Sequence, residues 1–267
     1  MQLSVLATLA VGCLAFADRA HAAIKGSPWG ADSRWNPRIL GGNSSVVWYH
    51  HWAGGAFPTY SNVEFVPTFW GPQKNISWYK RKAEMQNYPP KNILAFNEPD
   101  VPTQSNLTPS AALDLYTKEI WPLKAKFPQV QLSSPQICYD ISWLNAFMTG
   151  ARATGVEPDF LAVHWYGSLN FTRFTKYITQ IRTTYPTKDI WITEIGLTNK
   201  ANATSDQAKY YMAQMLNWTS TQPYIKRVTW TGFWATGSPP DTYISPNMAL
   251  FNPNGTLTEL GLFYSRS

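Results

Sequence analysis

Apolar, β-prone runs alternate with helix-like segments along almost the whole 267-residue chain. Eight runs read as strands: 23–29, 45–51, 63–70, 92–97, 129–135, 160–166, 190–195 and 227–234. Several are continuous apolar stretches, the pattern of parallel strands covered on both faces. Helical patterns fill the gaps at 77–87, 110–126, 142–154, 171–185 and 205–219, with a short closing helix at 256–264. Ser77 is placed to cap the first. Thr108-Pro109 supplies a cap and a first-turn proline for the second. In 142–154, Trp143, Leu144, Phe147 and Met148 fall on one face. This repeated alternation, with no linker or low-complexity break, predicts a single (β/α)8 TIM barrel over residues 23–267. Residues 30–44 and 52–62 lack a helical pattern, so the first helices are expected to be poorly formed. An open doubly wound sheet is the alternative, but no G-x-G-x-x-G follows a strand and a dinucleotide site has no support.

In a barrel of this kind the C-terminal strand ends carry the chemistry. Of only seven Glu in the chain, Glu98 closes the run Asn92-Ile-Leu-Ala-Phe-Asn-Glu and Glu194 the run Asp189-Ile-Trp-Ile-Thr-Glu. A carboxylate is costly to bury there unless it is used. Strands four and seven lie on opposite sides of an eight-stranded ring, so the two carboxylates are expected to face each other across its mouth. One carboxyl that protonates a leaving oxygen, opposed by a second, is what glycosidic-bond cleavage requires. Glu98 is assigned as acid/base and Glu194 as nucleophile, with the carboxyls expected about 5–5.5 Å apart for a retaining reaction. Taken singly, either Glu would read as a buried ion pair or a capping group; the matched settings favour function. His164 and Tyr166, two apart in a strand, project together while Trp165 faces away. For His164 a structural histidine and a substrate contact weigh equally.

Composition narrows the function classes. The net charge is +6, yet Lys80-Arg81-Lys82 is the longest basic cluster and fits a solvated helix face, so no nucleic-acid partner is expected. Thirteen Trp exceed what a core needs, and a minority are expected to line a sugar-binding groove. Trp70, before Gly71-Pro72, suits stacking; for Trp230 and Trp234 core and groove are evenly weighted. Residues 1–22 read as a secretory signal, with an apolar stretch too short to span a bilayer and an Ala20-His21-Ala22 cleavage site. No membrane anchor is expected. Seven N-x-Ser/Thr sequons, at Asn43, Asn75, Asn106, Asn170, Asn202, Asn217 and Asn254, agree with secretion and glycosylation. Cys13 lies in the leader, which leaves Cys138 as a lone buried thiol with no disulfide. His50 and His51 are adjacent and point to opposite faces, and no H-E-x-x-H or paired-Cys motif exists; no metal or cofactor is expected. No G-x-S-x-G elbow supports a serine hydrolase.

Asn97-Glu98-Pro99 after a strand resembles the acid/base signature of clan A retaining glycosidases. Val47-Trp-Tyr-His-His-Trp52, Glu64-Phe-Val-Pro-Thr-Phe-Trp-Gly71, Ala95-Phe-Asn-Glu-Pro-Asp100, Asp159-Phe-Leu-Ala-Val-His-Trp-Tyr-Gly167 and Trp191-Ile-Thr-Glu-Ile-Gly196 occur in consistent order. Together they resemble glycoside hydrolase family 128, a family of β-1,3-glucanases. The resemblance implies a secreted, monomeric, cofactor-free endo-β-1,3-glucanase acting on a fungal wall or storage polymer. Exo action, or glucan-oligosaccharide binding without turnover, is the alternative. It also implies that Asn97 bonds the sugar 2-hydroxyl, that His164 and Tyr166 face the site, and that Trp52, Trp70 and Trp230 stand at the mouth. The chain departs from the family pattern at His50-His51-Trp52, where an Asn would precede the Trp, and at Lys25-Gly-Ser-Pro-Trp29.

Overall fold

The computed structural model describes residues 23–29, 43–52 and 63–267. Residues 1–22, read above as a secretory signal, and residues 30–42 and 53–62, where the poorly formed first helices were expected, lie outside the described residues. Eight parallel strands are present: β1 (Ile24–Trp29), β2 (Val46–His51), β3 (Glu64–Phe65), β4 (Asn92–Ile93), β5 (Gln131–Leu132), β6 (Leu161–Gly167), β7 (Ile190–Leu197) and β8 (Ile225–Trp230). Six form a continuous sheet in the order β3-β2-β1-β8-β7-β6, and β4 pairs with β5. Single parallel bridges complete the ring: Thr68 with Leu94 joins the third and fourth positions, and Ser133 with Phe160 and Ile137 with Val163 join the fifth and sixth. Each strand neighbours the next in sequence and β8 returns to β1, which is the (β/α)8 barrel.

The third, fourth and fifth strands are shorter than their apolar runs predict. Pro67 and Pro135 offer no backbone donor. Two serines replace part of the ladder: Ser133 Oγ accepts from Ala95 N at 2.9 Å and Ser134 Oγ from Ala162 N at 3.0 Å.

The outer layer comprises α1 (Asn75–Glu84), α2 (Pro109–Glu119), α3 (Leu123–Lys126), α4 (Ile141–Ala153), α5 (Phe171–Thr184), α6 (Ser205–Ser220) and α7 (Glu259–Arg266). Most follow their sequence signals. Thr108 caps α2, and α6 opens on a Thr204/Gln207 capping box. In α5, Phe174, Ile178 and Ile181 are buried at the spacing of one helical face. Two expectations fail. Ser77 lies inside α1, which follows a 3-10 turn at Pro72–Lys74 instead of a serine cap. The 110–126 helix breaks between α2 and α3, because Pro122 has no N–H for the ladder. Among the described residues no helix is long and apolar enough to cross a membrane.

The barrel interior changes chemistry from bottom to mouth. At the bottom, the Arg227 guanidinium sits 2.7 Å from Glu64 and 4.1 Å over the Trp191 ring. Above it Trp48, Val66, Leu94, Phe160, Ala162 and Trp191 pack as a buried apolar cluster. Residues two further along a strand share its face, so Trp48 leads to His50, Ala162 to His164 and Trp191 to Thr193. All three are fully buried and form the polar layer that carries the site.

Candidate active site

The strand β7 decides where Glu194 points. Ile190 and Ile192 pack outward in the main core, while Trp191 packs inward. Strict alternation would therefore turn Glu194 outward, beneath the helices. It does not, because the β6–β7 register jumps from Val163 opposite Ile192 to His164 opposite Glu194. Thr193 is the extra residue of a β-bulge, and the bulge re-aims the next side chain into the mouth. Ile195 and Leu197 then face outward again. The Thr193 carbonyl, turned into the barrel, accepts from His50 Nε2 at 2.9 Å and from the Thr229 hydroxyl. Burial holds the His50 imidazole down at about 3, so it stays a neutral donor to this carbonyl.

Glu98 sits beyond β4 with φ 41°, in the left-handed region. For a non-glycine residue that conformation costs about 1–2 kcal/mol. It is held by Glu98 N donating to Gln136 O at 2.9 Å and by Val101 N donating to Glu98 O at 3.0 Å. One oxygen from each glutamate and one nitrogen of His164 all lie within 4.8 Å of one another.

A network of hydrogen bonds holds the pair. Tyr166 OH donates to Glu194 Oε2 at 2.5 Å, and Trp52 Nε1 donates to Glu194 Oε1 at 2.9 Å. The same indole N–H lies 3.1 Å from Asn97 Oδ1, whose amide donates to Gln104 at 3.2 Å. His164 Nδ1 is 2.9 Å from Glu98 Oε1 and 3.5 Å from Glu194 Oε2, while its Nε2 is 3.4 Å from Gln136 Oε1. Gly196 makes room for the Tyr166 ring, since a Cβ there would come within 2.6 Å of it.

Electrostatics follow from burial. Burial alone would lower the His164 pKa, but the Glu194 charge and the hydrogen bond to Glu98 outweigh it and raise it. Burial raises the Glu194 carboxyl and the Glu98 charge adds to this, against the lowering effects of His164, Tyr166 and Trp52. Burial, with the Glu194 charge second, keeps the Tyr166 phenol protonated as a donor. Cys138, buried in the cleft wall, is likewise held as a thiol by burial and the nearby Glu98 charge. Glu98, His164 and Glu194 are the one cluster with the donor set of a metal site among the described residues; these donors are already engaged with one another and with Tyr166 and Trp52.

The cleft above the pair has a volume of about 830 Å3. Trp52, Trp70, Asn97, Glu98, Tyr166 and Glu194 line it, as expected. Two expectations need correction. Trp230 is fully buried, its indole N–H donating to Met248 O at 3.2 Å, because it ends β8 pointing into the packing beneath α7 and the 246–248 turn. Trp234 takes the mouth position instead, and its buried indole N–H has no partner among the described residues. His164 is fully buried beneath the carboxylates and does not line the cleft. Lys74, Tyr139 and Tyr243 also line it. Tyr139 and Tyr243 follow strand ends in loops whose course carries no periodic signal, and Lys74 ends the 3-10 turn before α1; only the high aromatic content hinted at the two tyrosines.

Opposed carboxylates at the C-terminal mouth of a (β/α)8 barrel are the arrangement that glycoside hydrolysis uses. The sequence matches the family model described as the glycosyl hydrolase catalytic core over residues 26–264, and the chain belongs to that family. The resemblance to glycoside hydrolase family 128 is borne out by similar solved structures. A subgroup I endo-β-1,3-glucanase from Amycolatopsis mediterranei, in complex with laminaritriose, is 27% identical, with a TM-score of 0.67 over 91% of this chain and 98% of that one. A subgroup III curdlan-specific exo-β-1,3-glucanase from Blastomyces gilchristii, in complex with glucose, is 23% identical, with a TM-score of 0.75 over 93% and 100%. A subgroup V exo-β-1,3-glucanase from Cryptococcus neoformans is 23% identical, with a TM-score of 0.77 over 91% and 98%. No curated protein matches the sequence.

Proposed function

We propose that the chain is a secreted, retaining β-1,3-glucan hydrolase that works as a monomer by double displacement. The retaining mechanism is carried by one oxygen of Glu98 lying within 4.8 Å of one oxygen of Glu194. So close an approach accords with the separation of about 5–5.5 Å between the carboxyl groups of retaining enzymes better than with the separation of about 6.5–9.5 Å in inverting ones. Glu98 protonates the leaving oxygen while Glu194 forms the glycosyl-enzyme bond. Glu98 then deprotonates the water that releases the sugar. Tyr166 and Trp52 hold both oxygens of Glu194 on line. Asn97, fixed by Trp52 and Gln104, serves the sugar 2-hydroxyl, and Trp70 and Trp234 offer ring faces to glucosyl units.

The substrate follows from the family 128 relatives, which are β-1,3-glucanases by name. Exo attack is the reading favoured by the contact between Tyr139 and Tyr243 at the cleft edge. Endo attack, the expectation from the sequence, is the second reading and accords with the cleft volume of about 830 Å3. Six of the seven sequon asparagines are exposed and Asn75 is half-buried, as glycosylation of a secreted chain requires.

Glu98→Gln and Glu194→Gln are each expected to abolish release of sugar from linear β-1,3-glucan while oligosaccharide binding persists. The anomer formed first, read by NMR, is expected to be β. Turnover in either variant, or an α product, refutes the mechanism. Binding by a wild-type protein that releases no sugar would identify a glucan-binding barrel instead.

A further inference from the structure

The cleft wall is built from residues at or after the ends of β1 to β5 and from residues 231–244 after β8. From β6 and β7 it takes only Tyr166 and Glu194; no described residue of the following loops reaches it. Two exposed tyrosines stand in their place. Tyr139, after β5, and Tyr243, after β8, meet hydroxyl to hydroxyl. The Tyr243 ring also packs edge-on against Tyr166, with centroids 6.0 Å apart. The pair therefore adjoins the phenol that holds Glu194.

Both ends of this contact are anchored. Asp100, two residues past Glu98, accepts backbone N–H groups from Cys138 at 2.9 Å, Tyr139 at 2.7 Å and Asp140 at 2.9 Å. Charge-assisted bonds from three consecutive donors fix that turn, and Asp140 goes on to cap α4. At the other end, Asn199 N donates to Tyr243 O at 2.7 Å and Ser245 N to Leu197 O at 2.9 Å. Thr198 and Ile244 form an antiparallel bridge between them. Asp241 accepts from Tyr243 N at 2.8 Å.

We propose that Tyr139 and Tyr243 form a fixed wall that ends the sugar-binding cleft over β6 and β7 and so confines cleavage to a short distance from a chain end. This rests on the glucan-hydrolase reading above. A polymer attacked internally must leave the cleft on both sides of the cleaved bond, and here it cannot pass without parting the two hydroxyls. The tyrosine rings suit the face of a terminal sugar, apolar over the ring and polar at the tip.

The test compares the wild type with Tyr139→Ala/Tyr243→Ala on linear β-1,3-glucan, products being resolved by length. The wild type is expected to give one short product and the variant a ladder. A wild-type ladder, or a variant profile identical to wild type, overturns the wall. Should the double variant fail to fold, Tyr139→Ala alone leaves every backbone anchor in place and carries the same expectation. A second measurement needs no turnover. In a Glu194→Gln background, affinity for β-1,3-gluco-oligosaccharides is expected to level off at a short length, and to keep rising with length once the tyrosines are removed. The same plateau in both backgrounds overturns the wall. A folded wild type that neither cleaves nor binds β-1,3-glucan refutes the glucanase reading, and the wall for this polymer falls with it.

Discussion

His164→Gln isolates the positive charge beneath the carboxylates. Glutamine keeps a neutral hydrogen-bond donor for Glu98 in a similar volume but cannot take up a proton, which the charges of the two glutamates favour on His164. The imidazole nitrogen lies 3.5 Å from Glu194 and 2.9 Å from Glu98. At those separations, with an effective dielectric constant near 20, a unit charge interacts with a carboxylate by roughly 5–6 kcal/mol. Part of this is returned by the retained donor, so the nucleophile is expected to titrate on the order of 2–3 pH units higher. The sign follows directly: a positive neighbour lowers a carboxyl pKa, so its removal raises it. In the proposed mechanism Glu194 must be ionised to attack, so the acid limb of kcat/KM moves to higher pH. The assay is kcat/KM on a β-1,3-gluco-oligosaccharide across the acid and neutral range, with thermal melts to establish folding. A folded variant whose profile keeps the wild-type acid limb and loses only amplitude would refute this electrostatic role and leave His164 a packing residue.

Three further outcomes follow from the same geometry. Tyr166→Phe removes a bond to a charged acceptor worth roughly 1.5–3 kcal/mol, which moves the acid limb up by about 1–2 pH units; an unmoved limb would argue against the Tyr166–Glu194 bond. Glu194→Gln is expected to melt higher than wild type, each ~1 kcal/mol being about 2–4 °C in a chain of this size. Because the folded pKa of Glu194 is raised, its stability contribution is present at low pH and lost as pH rises from about 4.5 through the folded value. The melting gap should therefore widen over that window, and a constant gap would contradict it. His50→Leu leaves the Thr193 carbonyl short of one donor at a cost of about 1–3 kcal/mol. It should lower kcat more than it changes KM, with His50→Gln restoring part of it, whereas equal loss in both variants would exclude a positioning role.

The barrel was legible because its signal is local and repeated. Eight apolar runs coincide with eight strand positions, and Glu98 and Glu194 come from the fourth and seventh. Trp52, Trp70, Asn97 and Tyr166 reach the cleft for the same reason: each sits at or just past a strand end, where a barrel places its mouth. Trp230 misled because it too ends a strand, yet the C-terminal packing closes over it and leaves Trp234 to line the cleft. Tyr139 and Tyr243 are 104 residues apart; no periodic pattern relates two loop residues at that separation.

Residue type and strand order, both written in the sequence, determined the ring, its apolar core and the identity of the two carboxylates. Tertiary structure decided which way they face. By alternation alone Glu194 belongs with Ile190 and Ile192 on the outer surface of the barrel, where a carboxylate could not act. One additional residue, Thr193, reverses that parity. It can do so because Thr229 of the neighbouring β8 and His50, brought in from β2, satisfy the carbonyl that the bulge frees. A hydrogen bond between strands so far apart in the chain exists only once the barrel has closed.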